Sequence, residues 1–347
     1  MRTGTRTLKY IVILLIILGL IIIVAASTGA VKISLKDTGL IMASRIPGIN
    51  RYINTDLIDY QDIVIISQIR LPRIFLSIFV GMALAGAGVI FQGLFRNPMA
   101  DPYVIGVSSG AALGATIGLV FVTGAGLLGV STITVFALLG ALGTTFLVYN
   151  ISRIRGKVSV ITLLLSGIAL SAMLSAITYF IMILRTQDMA KIVFWVMGGF
   201  TSATWGNFNV LAPIVTVLII ISGFFMRDLN IISLGDERAV QLGVQTDRVK
   251  KILLILASLI AAVAVSMSGV IGFVGLITPH ILRLLVGPDH KILYPASVIA
   301  GGIFMLMSDT LARTVLMPRE IPVGIITSIA GVPFFLYLLL KSKKQFF

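Results

Sequence analysis

Very few residues of this chain carry side chains that could do catalysis or hold a metal ion. The sequence contains no cysteine, which excludes thiol catalysis, thiolate metal sites and disulfides. Its two histidines, His280 and His290, belong to no HExxH motif. His280 stands beside a proline in TPHILR and is interpreted as a hydrogen-bonded loop residue. We therefore expect no catalytic residue, no metal site and no cofactor bound by this chain.

Asp309 is the carboxylate nearest to the interior of a predicted span. It is therefore the candidate for a group that couples transport to an ion gradient. An ion-driven carrier usually keeps such a group near the middle of the membrane, where it relays protons or ions. Asp309 falls at the end of its stretch, close to Arg313. The pattern favours an ion pair at the membrane rim, and a proton relay stays the alternative.

The elements that must position these residues are long and apolar. Hydrophobic residues make up 58% of the 347 residues, only 12% are charged, and the mean hydropathy is +1.08. The hydrophobic fraction and the mean hydropathy lie far above those of a soluble domain, and the charged fraction lies far below. A helix of about 20 apolar residues spans a bilayer, and charge-free stretches of that order recur along the chain. The composition therefore indicates a polytopic membrane protein.

The charge-free stretches predict ten membrane-spanning helices. Residues 102–152 hold two spans with a turn at 123–126, and residues 252–282 hold two shorter spans broken at 266–269. Residues 192–226 hold a short helix, FWVMGGF, followed by one span. The predicted fold is all-α, and residues 1–347 form a single transmembrane domain.

The distribution of Lys and Arg predicts the orientation. If the N-terminus is cytoplasmic, 17 of the 27 basic residues fall in inner segments, as the bias of cytoplasmic loops toward Lys and Arg requires. An even number of spans places both ends on that side. The same bias accounts for the net charge of +14, so no nucleic-acid partner is expected.

A polar segment between spans six and seven, SLGDERAVQLGV (residues 233–244), differs from its apolar surroundings. Ser233 and Asp236 fit the S-x-x-D capping box, and Gly243 suits a left-handed helix stop. The segment predicts a helix of about two turns, too short to span and too polar to lie in lipid. Its apolar face is predicted to hold Leu234, Ala239 and Leu242, and its other positions Gly235, Glu237, Arg238 and Gln241. An ordinary interfacial helix and a handle for a partner protein both fit this pattern.

Segment 233–244 resembles the coupling loop of the permease subunits of iron-siderophore, haem and cobalamin ABC importers, the ten-helix FecCD-like family. The likeness continues in order over residues 68–115, 163–172, 194–200, 269–290, 309–313 and 320–341. The resemblance implies a homodimer in the plasma membrane, two ATP-binding cassette subunits beneath it and one external or periplasmic substrate-binding protein. The chain has no GxxxxGK[ST] motif, so ATP and Mg²⁺ are expected on the partner ATPase.

The resemblance also implies roles for individual residues. Arg70 and Arg313 correspond to arginines that dock the binding protein, although anchoring at the membrane rim would also explain them. Ser159, Val160, Ile161 and Thr162 resemble the cytoplasmic gate, although a plain helix start is the alternative. The expected cargo is a ferric siderophore first, then haem or cobalamin, and molybdate last. The alternative function, an ion-gradient-driven secondary transporter, predicts flux without an ATPase.

Overall fold

The computed structural model describes residues 2–45, 48, 58–122, 130–154 and 157–343. Helices make up almost all of this part of the chain. The α-helices are α1 (Arg2–Ser27), α2 (Leu35–Ser44), α3 (Tyr60–Val64), α4 (Leu71–Phe95), α5 (Val107–Phe121), α6 (Thr132–Ile151), α7 (Val160–Leu184), α8 (Met189–Met197), α9 (Trp205–Gly223), α10 (Met226–Ser233), α11 (Asp236–Gln241), α12 (Thr246–Ser268), α13 (Val274–Val286), α14 (His290–Thr314) and α15 (Val323–Lys343). A π-helix (Ile65–Arg70) joins α3 to α4, and 3₁₀ turns occupy Pro102–Ile105 and Thr186–Asp188.

The helices reproduce the predicted pattern of spans. Within the described residues, seven segments are long and apolar enough to cross a membrane: α1, the continuous stretch Tyr60–Phe95, α6, α7, α9, α12 and α14. Three shorter apolar helices, α5, α13 and α15, bring the apolar helices to the predicted ten. The break predicted at 266–269 lies slightly later, at residues 269–273, because α12 continues to Ser268. The predicted short helix before α9 is α8, which begins and ends earlier in the chain than FWVMGGF does. The predicted turn at 123–126 lies outside the described residues.

Helix α4 is the centre of the bundle, and almost every one of its residues is buried. It packs against α14, α12 and α13. Small residues allow these close approaches: a Cβ atom on Gly88 would lie 1.9 Å from the Gly275 carbonyl oxygen, and one on Gly81 would lie 2.2 Å from that of Gly301. Such contacts bring helix backbones together where hydrophobic burial alone cannot drive association in lipid.

The bundle has two ends, which we name by residues that lie there. Arg73 near the start of α4 meets Asp309 near the end of α14, and this defines the Arg73 end. Arg96 at the end of α4 meets Asp236 of α11, and this defines the α11 end. Helix α1 finishes at the Arg73 end and α15 begins there. The start of α1 and the end of α15 therefore share the α11 end, as the even number of spans predicts.

Two departures from the sequence-based expectations are local. The segment before α7 contains a two-stranded antiparallel hairpin, β1 (Arg153–Ile154) and β2 (Lys157–Val158), where the all-α prediction expected no strand. The described residues between α1 and α4 also contain α2, α3 and the π-helix, which the apolar stretches did not predict. Ser34 and Asp59 cap these two short helices by accepting backbone N–H groups, a local signal that sequence inspection can detect.

Candidate functional site

The segment 233–244 forms the short helix α11, but it begins differently from the predicted capping box. Ser233 is the last residue of α10, and its hydroxyl donates to the Asn230 carbonyl at 2.6 Å. Gly235, with φ +122°, occupies the N-cap position of α11. The capping role predicted for Ser233 is therefore wrong, because α10 continues up to this residue. Gly243 does adopt the predicted left-handed conformation, with φ +82°.

Asp236 fastens α11 to the body of the bundle. One carboxylate oxygen accepts from Lys250 of α12 at 2.5 Å, and the other accepts from Arg96, the C-cap of α4. Partial burial alone would raise the pKa of Asp236, but the hydrogen bonds and charges of Lys250 and Arg96 outweigh it and lower the pKa. This carboxylate therefore links α11 to two of the central helices.

The outer surface of α11 carries apolar side chains together with charges. Leu234, Val240 and Leu242 are exposed, Leu242 to 62%. Ala239 was expected on this face, but it is fully buried because it points toward the bundle. Val240 takes its place in the exposed set, and the charged and polar positions Glu237, Arg238 and Gln241 are also exposed. The segment thus presents apolar and charged groups side by side on a helix held in a fixed position.

Arg70 and Arg313 lie at the Arg73 end, as predicted, but neither offers its guanidinium to a partner. They are only 5% and 8% exposed. Arg70 donates to the Ala26 carbonyl at 2.6 Å and also to the Val31 carbonyl, and Arg313 donates to the Ala25 carbonyl. The docking role predicted for both residues is corrected accordingly: they bind the unpaired carbonyls at and beyond the end of α1, which need donors there.

Arg73, for which the sequence predicted no role, is the centre of the charged cluster at this end. Its guanidinium contacts Asp309 at 2.8 Å and Glu320 at 2.9 Å. Asp309 is fully buried, and Arg313, the partner suggested by sequence, lies farther away at 3.9 Å. The cluster joins α4 and α14 to the loop that leads into α15. The sequence signal for this cluster was the pair of arginines in RLPR. Such a pair does not show which residues, distant in the sequence, Arg73 contacts.

The residues predicted as a gate form the first turn of α7 at the α11 end. Ser159 is the N-cap, and its hydroxyl accepts from the Thr162 backbone N–H at 3.4 Å. Val160 and Ile161 are exposed, Ile161 to 72%. The hairpin β1–β2 stands directly before this turn. The geometry leaves two apolar side chains free to meet another surface.

A cavity of about 950 Å³ lies at the Arg73 end, between α8, the end of α12 and the entry to α15. Phe194 and Trp195 of α8 contribute aromatic surface to its wall. Its charged lining residues are Arg73, Lys191, Arg319 and Glu320. Lys191 and Arg319 are exposed, so the cavity is reachable from the surrounding solvent.

The comparisons with known proteins agree with this architecture. The sequence profile of the FecCD transport family matches residues 14–341. The cobalamin import system permease protein BtuC of Halobacterium salinarum is 45% identical over 80% of this chain and 73% of that protein. The hemin transport system permease protein HmuU of Yersinia pestis is 41% identical over 80% of this chain and 84% of that protein.

A solved structure shares the fold over nearly the whole chain. It shows an inward-facing conformation of a protein assigned as a metal-chelate type ABC transporter. The TM-score is 0.82, the sequence identity is 31%, and the match covers 96% of this chain and 99% of that one. The chain therefore belongs to the FecCD transport family and is a membrane-spanning permease of a metal-chelate ABC importer.

Proposed function

We propose that two copies of the chain, each a single permease domain, form a homodimer in the plasma membrane with both ends cytoplasmic. Two separate ATP-binding cassette subunits, which hold ATP and Mg²⁺, bind at the α11 end. A substrate-binding protein delivers the metal chelate at the Arg73 end. The observation that carries this proposal is α11 itself: exposed apolar and charged side chains on a helix tied to α4 and α12.

The contacts of α11 suit the transmission of force. A partner that closes on Leu234, Val240 and Leu242 would move a helix whose Asp236 is bonded to both α4 and α12. Movement at the surface would therefore reach the central helices directly. Coupling of this kind requires a rigid helix that has two discrete positions, as in domain closure around a ligand.

The structure gives little support to an ion-gradient mechanism. Asp309 was the carboxylate considered as a proton relay, and it lies at the Arg73 end, bonded to Arg73 at 2.8 Å. A relay group must exchange its proton with solvent or with a neighbour during transport. A carboxylate held by a guanidinium serves better as a structural link between helices. Energy supplied by a partner ATPase fits the rest of the site.

We propose the first turn of α7, Ser159 to Thr162, as the cytoplasmic gate. Val160 and Ile161 are exposed apolar residues at the α11 end. In a homodimer the same residues of the second copy could meet them and exclude water from the pathway. Ser159 fixes the direction of this turn through its cap. The gate would then respond to the same partner that moves α11.

The first candidate for the cargo is a ferric siderophore, with haem and cobalamin next. The cavity at the Arg73 end carries the exposed cations Lys191 and Arg319. The Lys191 ammonium forms a surface ion pair with Asp188, and such pairs hold a charge weakly. A cleft lined by cations raises the local concentration of anions. This favours chelates that carry carboxylate or other anionic groups.

The proposal is tested by changing the apolar surface of α11. Leu242→Asp places a carboxylate where an ATPase cleft would have to bury it, which costs several kcal/mol without a partner. We expect this variant to form a folded dimer that no longer retains the ATPase during purification or drives uptake in proteoliposomes. Gln241→Asp, which adds the same charge at the adjacent exposed position, is the matched control and should keep most activity. Equal behaviour of the two variants would contradict the coupling role of α11.

A further inference from the structure

An apolar groove lies at the α11 end of the bundle, away from α11 itself. We name it the α6–α12 groove, after the helices that supply most of its walls, and its volume is about 390 Å³. Leu142 and Phe146 line it from α6, and Leu254 and Ile255 line it from α12. Both helices are long and apolar enough to cross the membrane. The groove therefore faces a region where lipid is the available solvent.

The two hydroxyl groups in the apolar part of the groove already have partners. The Ser258 hydroxyl donates to the Leu254 carbonyl at 2.6 Å, and the Thr145 hydroxyl donates to the Ala141 carbonyl at 2.8 Å. A ligand lying between these helices would therefore find no free hydrogen-bonding group in the apolar part. This interior suits a hydrocarbon chain and does not suit a polar chelate or nucleotide.

One end of the groove is cationic. Lys251, an exposed lysine near the start of α12, lines it together with Tyr149. In the described part of the chain, Lys251 has no hydrogen-bond or ion-pair partner. Its neighbour Lys250 is neutralised by Asp236, and Asp247, one turn earlier, has an interaction of its own. Among the described residues, Lys251 is thus a cation without an ion-pair partner at the mouth of an apolar slot.

We propose that the α6–α12 groove binds one anionic phospholipid of the leaflet at the α11 end. An acyl chain lies between α6 and α12, and the phosphate contacts the Lys251 ammonium. Basic pockets between membrane-spanning helices on the cytoplasmic side are recognised sites for anionic head groups. The tyrosine at the mouth also suits the interface, where aromatic side chains with a polar tip are enriched.

The position of the groove connects the lipid to transport. Leu163, in the second turn of α7, lines the groove close to the gate residues. Lys251 directly follows Lys250, which holds α11 through Asp236. A bound lipid would brace α12 at the level where α11 is fastened. Its presence would therefore raise the stability of the arrangement that couples α11 to the central helices.

Native mass spectrometry of the purified permease can test this proposal, with phosphatidylglycerol and phosphatidylcholine of identical acyl chains as the probes. The unmodified permease should retain phosphatidylglycerol in preference to phosphatidylcholine. Lys251→Gln should reduce that preference about fivefold, the equivalent of about 1 kcal/mol for one lysine at the membrane surface. Lys291→Gln is the matched control, because Lys291 is an exposed lysine at the same end but outside the groove.

A second variant tests the apolar part. Ile255→Trp fills the groove from α12 and should remove the retained lipid of either kind while leaving the fold intact, since Ile255 is exposed. The proposal is overturned if Lys251→Gln behaves like Lys291→Gln, which would leave only ordinary surrounding lipid. The cysteine introduced by Ile255→Cys can be labelled with a thiol-reactive dye while it is accessible. The proposal is also overturned if the ATPase or a second copy of the chain protects this cysteine from the dye and phosphatidylglycerol does not. A groove variant that loses the lipid but still binds the ATPase separates this proposal from the proposed coupling role of α11.

Discussion

Asp236 of α11 and Lys250 of α12 form an ion pair at 2.5 Å, and the same carboxylate also accepts from Arg96 at the end of α4. These bonds join the short helix α11 to two helices that run through the centre of the bundle. If α11 receives the movement of an ATPase, this carboxylate is where the movement enters the membrane domain. A substitution at Asp236 can therefore test the attachment of α11 to the bundle without changing the exposed residues that would contact the ATPase.

Asp236→Asn should uncouple ATP hydrolysis from transport without preventing ATPase binding. The amide keeps the shape but loses the charge that holds Lys250 and Arg96, while Leu234, Val240 and Leu242 remain in place. The number of ATP molecules hydrolysed for each chelate imported should therefore rise several-fold in proteoliposomes. Glu237→Gln is the control, because Glu237 is exposed and forms no ion pair in the described chain. An unchanged ratio for Asp236→Asn would remove the anchoring role.

The attachment of α11 should depend on pH only in the acid range. The folded state lowers the pKa of Asp236 below its ordinary value of 3.8. The ion pairs are therefore fully formed above the ordinary value and are lost as the pH falls through the lower folded value. A dye on Gln241→Cys, in this cysteine-free chain, should report constant anisotropy from about pH 8 to 5 and greater mobility below pH 3.8. With Asp236→Asn added, the acid transition should disappear.

Arg73→Ala should destabilise the permease strongly. The substitution leaves Asp309, which is fully buried, with only the distant Arg313 at 3.9 Å. Removing one partner of a buried ion pair typically costs about 3–5 kcal/mol, because an uncompensated charge remains. The unfolding temperature of this variant in detergent should therefore fall. Arg319→Ala, at an exposed arginine of the same cavity, should leave the unfolding temperature nearly unchanged, and a similar result for Arg73→Ala would show that the cluster is not structural.

The span pattern could be predicted from the sequence because apolar stretches and helix breaks are local properties. The break before α13 and the short helix α8 both appear where charge-free runs are too long for one span. The partners of charged residues could not be predicted in the same way. Arg73 and Asp309 lie 236 residues apart, whereas Arg313, one turn from Asp309, was the obvious candidate. A sequence shows the neighbours on one helix but not the packing of two.

The same limit explains the corrections at α11 and at the two arginines. The S-x-x-D pattern was present, but Ser233 belongs to α10, and only the left-handed Gly235 begins the next helix. The family resemblance implied exposed docking positions for Arg70 and Arg313, yet the end of α1 offers carbonyl acceptors to both. Whether a cation meets solvent or a helix end depends on tertiary packing. The sequence alone contains no signal for that choice.

Gly88→Ala should destabilise the contact between α4 and α13. The added methyl group would lie 1.9 Å from the Gly275 carbonyl oxygen, which is backbone and cannot rotate away. Overpacking of a buried site costs about 1–3 kcal/mol or more, so the unfolding temperature in detergent should fall. Gly143→Ala is the matched control, because a Cβ atom there meets no atom within 4 Å. If both variants unfold alike, the close approach of α4 and α13 is not important for stability.

Cysteines at the start of α7 should form a crosslink between two copies in only one nucleotide state. Ile161 is 72% exposed and apolar, and Val160 is exposed beside it, so both can meet their counterparts if this turn closes a shared pathway. A disulfide requires Cα atoms about 4.4–6.8 Å apart, which makes the reaction sensitive to gate closure. We expect Ile161→Cys to crosslink readily with the gate closed and little with it open, as ATP binding to the partner switches the dimer. Phe146→Cys, at an exposed position on α6, controls for random collisions in the membrane and should crosslink in neither state. Crosslinking of Ile161→Cys that is equally strong with and without ATP would instead identify a static contact, and the gate would have to lie elsewhere on α7.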